Sequence, residues 1–382
     1  MKKFSKVGML VISLLSLSLL ACSNSDPLAI DCEEEYLQLD LHRSNWTLAA
    51  EPVDFTTERS IPTLAETRAK AYYWFHPQNT TFRRDFDPLL DEQDAETPVQ
   101  VLSLRIPIHL SAYQLAAFPP LEPMDQSNRA LGDSIWAGLM YRHPSSEGFS
   151  QSPLDLSQYE YLDIWINDFH QEPEERFGRL HIDLGMMSED YWDPESNELD
   201  SEDRSNLGVF DELEEDTGLD GIYDPGEMFT DNPYADPSDP AGDNWEVELQ
   251  SETYPNSYFK INGTEGNRRL DTEDWNGNHL LDQYNSYYSI SVGLDEPALV
   301  DMVEVYENET GTIPEHSKAW RLYRVYLSEA EICMDEFEIP LDWNQIQGVR
   351  VWLEGMNHSG GSPLNKLEIA DIRFGDVQSP PW

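Results

Sequence analysis

The chain has 382 residues, with 73 Asp and Glu against 24 Lys and Arg and a formal net charge of −49. A charge of that sign and size repels nucleic acid and anionic lipid and argues against both as partners. Hydrophobic residues make up 39% of the chain and aromatics 11%, too much apolar material for a disordered polyanion, so the acids are expected on a folded protein.

Met1, Lys2, Lys3 and Lys6 lead into an apolar run from Val7 to Ala21. This is the layout of an export leader, residues 1–21. Crossing a bilayer takes ~20 apolar residues, so the run is short for a membrane span. It closes on Leu19-Leu20-Ala21-Cys22, which resembles the lipobox of bacterial lipoproteins. The resemblance implies cleavage before Cys22 and a lipid on its thiol, with two or three acyl chains holding the protein to a membrane. Ser23 stands where an Asp would imply inner-membrane retention, so the expected address is the outer membrane, on its periplasmic or its surface face. Residues 22–35 are expected to be a short tether. In an exported chain the two remaining cysteines, Cys32 and Cys333, are expected to form a disulfide, with two buried thiols as the alternative.

Apolar–polar alternation starts at Tyr36–Leu41. Further strands are expected over 70–75, 99–110, 134–141, 155–166, 178–185, 286–292, 320–327, 336–341, 348–354 and 367–374. No segment reads as a convincing amphipathic helix. Many short strands divided by Gly, Pro and Asn predict an all-β sandwich or barrel over 36–382. It is expected either as one sandwich or as two intertwined ones, 36–132 and 133–382. The phrases LDLSQYEYLDIWI and LEIADIRFG resemble the galactose-binding-like jelly rolls of carbohydrate-binding modules. That resemblance implies a jelly-roll β-sandwich and a face able to bind glycan.

The chemistry concentrates in an acidic insertion, 188–285. Asp216 to Glu227 is twelve residues long, with Asp216, Asp220, Asp224 and Glu227 at positions 1, 5, 9 and 12 and Gly221 at position 6. This is the ligand spacing of an EF-hand-type loop, in which alternate oxygens surround one hard cation and Ile222 offers its carbonyl at position 7. Position 3 is Gly218, which has no ligand. A second loop starts at Asp274. Asn276, Asn278, the Leu280 carbonyl and Asp282 follow at calcium-ligand spacing, which resembles dockerin and thrombospondin-type loops. Here His279 takes the usual Gly place and Asn285 that of the terminal Glu. Asp236, Asp239 and Asp243 lie between the loops and are expected to complete one site or to build a third. Two or more structural Ca²⁺ ions are therefore expected. The insertion holds too few branched aliphatics to order itself by burial alone.

The phrases SIWAGLMYR, EYLDIWINDF, GRLHIDLGMMSED, EDTGLDGIYDPGE, DPAGDNW, NGTEGN, DTEDWNGNHLLD and SYYSISV follow one another across 134–292. In that order they resemble the repeated modules of the SprA family, the large translocons of type IX secretion and gliding motility. Those proteins are several times longer and build a membrane barrel. The resemblance therefore implies a shared module, a β-sandwich with an acidic, metal-binding insertion at the cell envelope, and it carries over neither translocation nor a partner; an envelope secretion-machinery protein and a glycan are the two partners left open.

No enzyme is expected. The nine histidines show no HxH or HxxxH spacing, and neither a serine nucleophile elbow nor a Cys/His arrangement is present. An extracellular hydrolase built on a carboxylate pair is a distant alternative. Trp74, Trp136, Trp165, Trp320 and Trp352 alternate within strands and are expected in the core. Trp192, Trp245 and Trp275 sit among the acidic loops and are the candidates for contacting a glycan or protein partner.

Overall fold

The computed structural model describes residues 36–52, 73–75, 81–107, 136–141, 153–170, 176, 178–192, 197–205, 207–208, 210, 215–223, 243–245, 262–313, 320–354 and 364–376. Its strands are β1 (Leu37–Gln38), β2 (Trp46–Leu48), β3 (Tyr73–Phe75), β4 (Leu102–Pro107), β5 (Trp136–Tyr141), β6 (Tyr161–Asn167) and β7 (Arg179–Met186). They continue as β8 (Ser286–Gly293), β9 (Val300–Asp301), β10 (Trp320–Tyr326), β11 (Glu331–Met334), β12 (Gly348–Glu354) and β13 (Leu364–Gly375). The α-helices among these residues are α1 (Glu92–Ala95) and α2 (Met302–Thr310).

The strands form two sheets. One is seven-stranded, ordered β3-β4-β13-β6-β10-β9, with β1 paired to the far end of β13. The other is six-stranded, ordered β11-β8-β7-β12-β5-β2. Every strand pairing is antiparallel. The chain is thus an all-β sandwich, as its alternation predicts. The described strands before residue 132 pair with later strands within these same two sheets.

Alternation explains which face each strand buries. On β6, Leu162, Ile164 and Ile166 point into the core between the sheets. Leu180, Ile182 and Leu184 of β7 and Val349, Val351 and Leu353 of β12 meet them from the other sheet. On β13 the core positions are Leu367, Ile369, Ile372 and Phe374, which break the period of two. A β-bulge accounts for the break: Ile369 pairs with Ile166 and Asp371 with Trp165, so Ala370 is the extra residue.

Neither outer face is left bare. On the seven-stranded sheet, Met302 and Tyr306 of α2, together with Phe86, cover Trp165, Trp320 and Leu322. Helix α2 lies where no helix is expected. Asp301 caps its first turn by accepting from the Val303 N–H at 3.0 Å, and Gly311 closes it at φ 73°. On the six-stranded sheet, Met140, Tyr287 and Cys333 are covered by Met187 and Trp275. Met186 pairs with Ser286 where β7 and β8 meet. The acidic segment therefore takes the place of a hairpin loop between two adjacent strands and folds back over their outer face.

Buried charges on the outer faces are paired. Asp183 and Arg350 are each fully buried, and Asp183 accepts from Arg350 Nε at 2.8 Å, Trp352 Nε1 at 2.8 Å and Ser289 Oγ at 2.7 Å. Asp163 holds Arg324 through two bonds of 2.7 Å on the other sheet.

Candidate metal centre in the acidic segment

The segment is organised by three buried glutamates that accept backbone N–H groups from distant stretches of chain. Glu273 accepts from Tyr191 at 2.7 Å, Trp192 at 2.6 Å and Asp200 at 3.1 Å. Glu202 accepts from Thr217 at 2.9 Å, Gly218 at 2.7 Å and Asp271 at 2.8 Å. Glu189 accepts from Trp275 at 2.9 Å and Asp282 at 3.1 Å. Each carboxyl serves as a staple, meeting donors that no helix or sheet ladder satisfies. Burial raises all three pKa values: Glu202 to about 9, with Asp271 adding to the rise; Glu273 to about 8; and Glu189 to about 7. The accepted N–H bonds pull each value down but do not offset burial. Sequence reasoning passes over these glutamates, because their partners are 15 to 93 residues away and no local spacing marks them.

The second predicted loop is described in full. Asp274 is buried and accepts from Gly277 at 2.8 Å, Asn278 at 3.1 Å and His279 at 2.8 Å. Asn276 and Asn278 each accept from the backbone N–H two residues on, and both donate from Nδ2 to Asp282 Oδ2, at 2.7 and 2.9 Å. The side chains at positions 3, 5 and 9 thus converge on one point. His279 sits at φ 60°, so it adopts the left-handed turn that glycine usually supplies at position 6. The Asn285 side chain, at the place of the terminal Glu, accepts from Ser188 N–H at 3.2 Å. Leu280 is exposed.

The first predicted loop is described as far as Tyr223; Asp224 and Glu227 lie outside the described residues, as do Asp236 and Asp239. Gly218 and Gly221 have φ of 71° and 70°, which gives the sharp turn expected at position 6. Asp220 accepts from the Ile222 N–H at 2.8 Å, and Asp216 from the Arg268 N–H at 3.3 Å. Position 3 has no side chain, and the buried Asp243 carboxylate fills the gap: a Cβ on Gly218 would collide with its Oδ2. Asp243 is held there because its carbonyl accepts from Thr264 at 2.8 Å and Glu265 at 3.1 Å.

Among the described residues, no three His, Cys, Asp or Glu side chains lie close enough together to share one ion. The donor chemistry nevertheless suits a hard cation, since the second loop adds two Asn amides and a carbonyl to its two carboxylates. As described, the two amide groups donate into the space between them and Asp282. Rotating each about its last torsion would present oxygens there instead.

The remaining predicted residues separate. Trp192 and Trp245 line one cleft, whereas Trp275 is buried against Met140, Met187 and Tyr287 on the sheet. Cys333 is buried on β11, while Cys32 and Cys22 lie outside the described residues. No described helix is long and apolar enough to cross a membrane. Comparison with known proteins finds no matching family model and no matching curated protein.

Proposed function

We propose that this chain is a non-enzymatic envelope lipoprotein, anchored through lipid on Cys22, whose sandwich carries a calcium-ordered surface for binding or assembly. The observation that carries the reading is the convergence of Asn276, Asn278 and Asp282 beside Asp274, in a loop whose turn needs the φ of 60° found at His279. Calcium suits such a set better than Mg²⁺, which demands stricter octahedral geometry. In the first loop Asp216, Asp220, Asp224, Glu227 and the Ile222 carbonyl are the proposed ligands, with Asp243 standing in at position 3. The sandwich is read as a galactose-binding-like jelly roll, Cys32 as the disulfide partner of Cys333, and the envelope partner as a component of a SprA-like secretion system.

Limited proteolysis tests this reading. Calcium should protect 188–285 and chelator should expose it, while the sandwich strands stay intact; unchanged cleavage across that segment would reject the proposal.

A second reading, a glycan-binding lipoprotein, has support of its own. It does not come from the strand tryptophans: Trp136, Trp165, Trp320 and Trp352 are all buried. It comes from the cleft that holds Trp192 and Trp245.

A further inference from the structure

The loop from Asp274 to Asp282 meets the outer face of the six-stranded sheet through one residue. Alternate side chains of a cation loop face the ion, which leaves position 2 free to point elsewhere. Here position 2 is Trp275, and it points onto the sheet. Its ring packs with Met187 over Met140, Tyr287 and Cys333. A Cβ on Gly348 would lie 3.0 Å from Met187 Cε, 3.4 Å from Met140 Sδ and 3.6 Å from Trp275 Cζ3, so the bare backbone of β12 makes room for all three at one spot.

Two features make this contact conditional. Trp275 is only 8% exposed, yet its indole N–H is buried with no hydrogen-bond partner among the described residues. An unpaired buried donor opposes the seating, and water would satisfy it once the ring swung out. Against that, Glu189 clamps the loop near both ends, two residues beyond Met187. Its Oε1 accepts from the Trp275 N–H at 2.9 Å and its Oε2 from the Asp282 N–H at 3.1 Å, while its own N–H donates to the Asp282 carbonyl at 2.8 Å. The clamp is itself an acid set against Asp274 and Asp282. A dication in the loop would offset that crowding of carboxyl groups, and its loss would leave the clamp opposed by repulsion.

We propose that the loop and Glu189 form a calcium-set latch, which seats Trp275 over the methionines of the six-stranded sheet while the cation is bound and frees it when the cation leaves. The latch rests on the calcium reading of this loop and adds that the methionine-lined face answers to the cation as well. Glu189 is its positioning residue: it touches no ion, and it ties Trp275 at one end of the loop to Asp282 at the other.

Methionine oxidation reads the latch directly. The full chain is treated with dilute hydrogen peroxide in calcium and in chelator, and sulfoxide at each methionine is followed by peptide mass spectrometry. Calcium at about ten times its dissociation constant should suppress opening by about tenfold, so Met140 and Met187 should oxidise about tenfold faster in chelator. Met302, buried on α2 against the other sheet, should stay protected in both. Glu189→Gln keeps the shape of the clamp but offers one acceptor where two are needed. In calcium it should speed oxidation of Met140 and Met187 by about tenfold, the scale of one charged hydrogen bond. Three results would overturn the proposal: equal rates in calcium and chelator while calorimetry shows calcium bound, which spares the calcium reading; Met302 oxidising in step with Met140 and Met187, which means general opening; or wild-type rates in Glu189→Gln. Absence of any calcium heat would take down the latch and the calcium reading together.

Discussion

The carboxylate of Asp243 occupies the space that a Cβ on Gly218 would need, although the two residues lie 25 apart in sequence. Gly218→Ala should therefore suffer twice. A left-handed backbone costs a non-glycine residue about 1–2 kcal/mol, and Asp243 must also be displaced. Gly266→Ala is the control, because it has φ 74° and nothing within 4 Å of the added carbon. Thermal melts at increasing calcium should show a larger calcium requirement for Gly218→Ala, whereas Gly266→Ala shows only the backbone loss. Matching curves would disconnect Asp243 from the loop.

His279 makes the opposite case. Its φ of 60° strains a side chain that glycine would not have, while its N–H still serves Asp274. His279→Gly should gain about 0.5–1 kcal/mol, the strain relieved less the entropy that glycine loses on ordering. His279→Val should lose stability, since β-branched residues tolerate this region worst. Chemical denaturation of both variants checks the sign.

Glu202 and Glu273 titrate well above the ordinary glutamate value of 4.5, at about 9 and about 8. The folded chain holds protons there that the unfolded chain releases. That stability is complete below pH 4.5 and is lost as pH rises towards 9. In chelator, melting temperature should fall across this window. Glu202→Gln should flatten the alkaline end of the decline, because the amide carries no titrating proton. A melting temperature that climbs from pH 5 to pH 9 would contradict the assignment.

Asp183 and Arg350 form a pair with no solvent access on the outer face of the six-stranded sheet. Asp183→Ala leaves the guanidinium buried and deprives Trp352 Nε1 of its acceptor. Loss of one partner should cost about 3–5 kcal/mol in equilibrium denaturation. The double variant Asp183→Leu with Arg350→Met should recover much of it, since the uncompensated charge goes with the pair.

Alternation alone locates β5, β6, β7, β8, β10 and β12, because one face of each of these strands packs into the shared core. It misplaces one edge strand. Residues 336–341 alternate, but Glu338 sits at φ 48°, which no extended strand allows, and β11 forms earlier at Glu331–Met334. Helix α2 escapes notice because nine residues give too few turns for a 3.6 period, although Asp301 and Gly311 mark its ends. In the acidic segment, the turn-forming Asp274, Asn276 and Asn278 are legible since each bonds its own neighbours. Glu189, Glu202 and Glu273 are not, because a side chain that closes a long loop leaves no trace in local spacing.

Calorimetric titration with calcium is the most direct test of the account, run on the wild type and on Asp282→Ala, which removes the acceptor shared by Asn276 and Asn278. The account predicts saturable calcium binding, much weaker magnesium binding, and the loss of one site in the variant. Identical calorimetric traces for the two proteins, or no calcium heat in either, would contradict it.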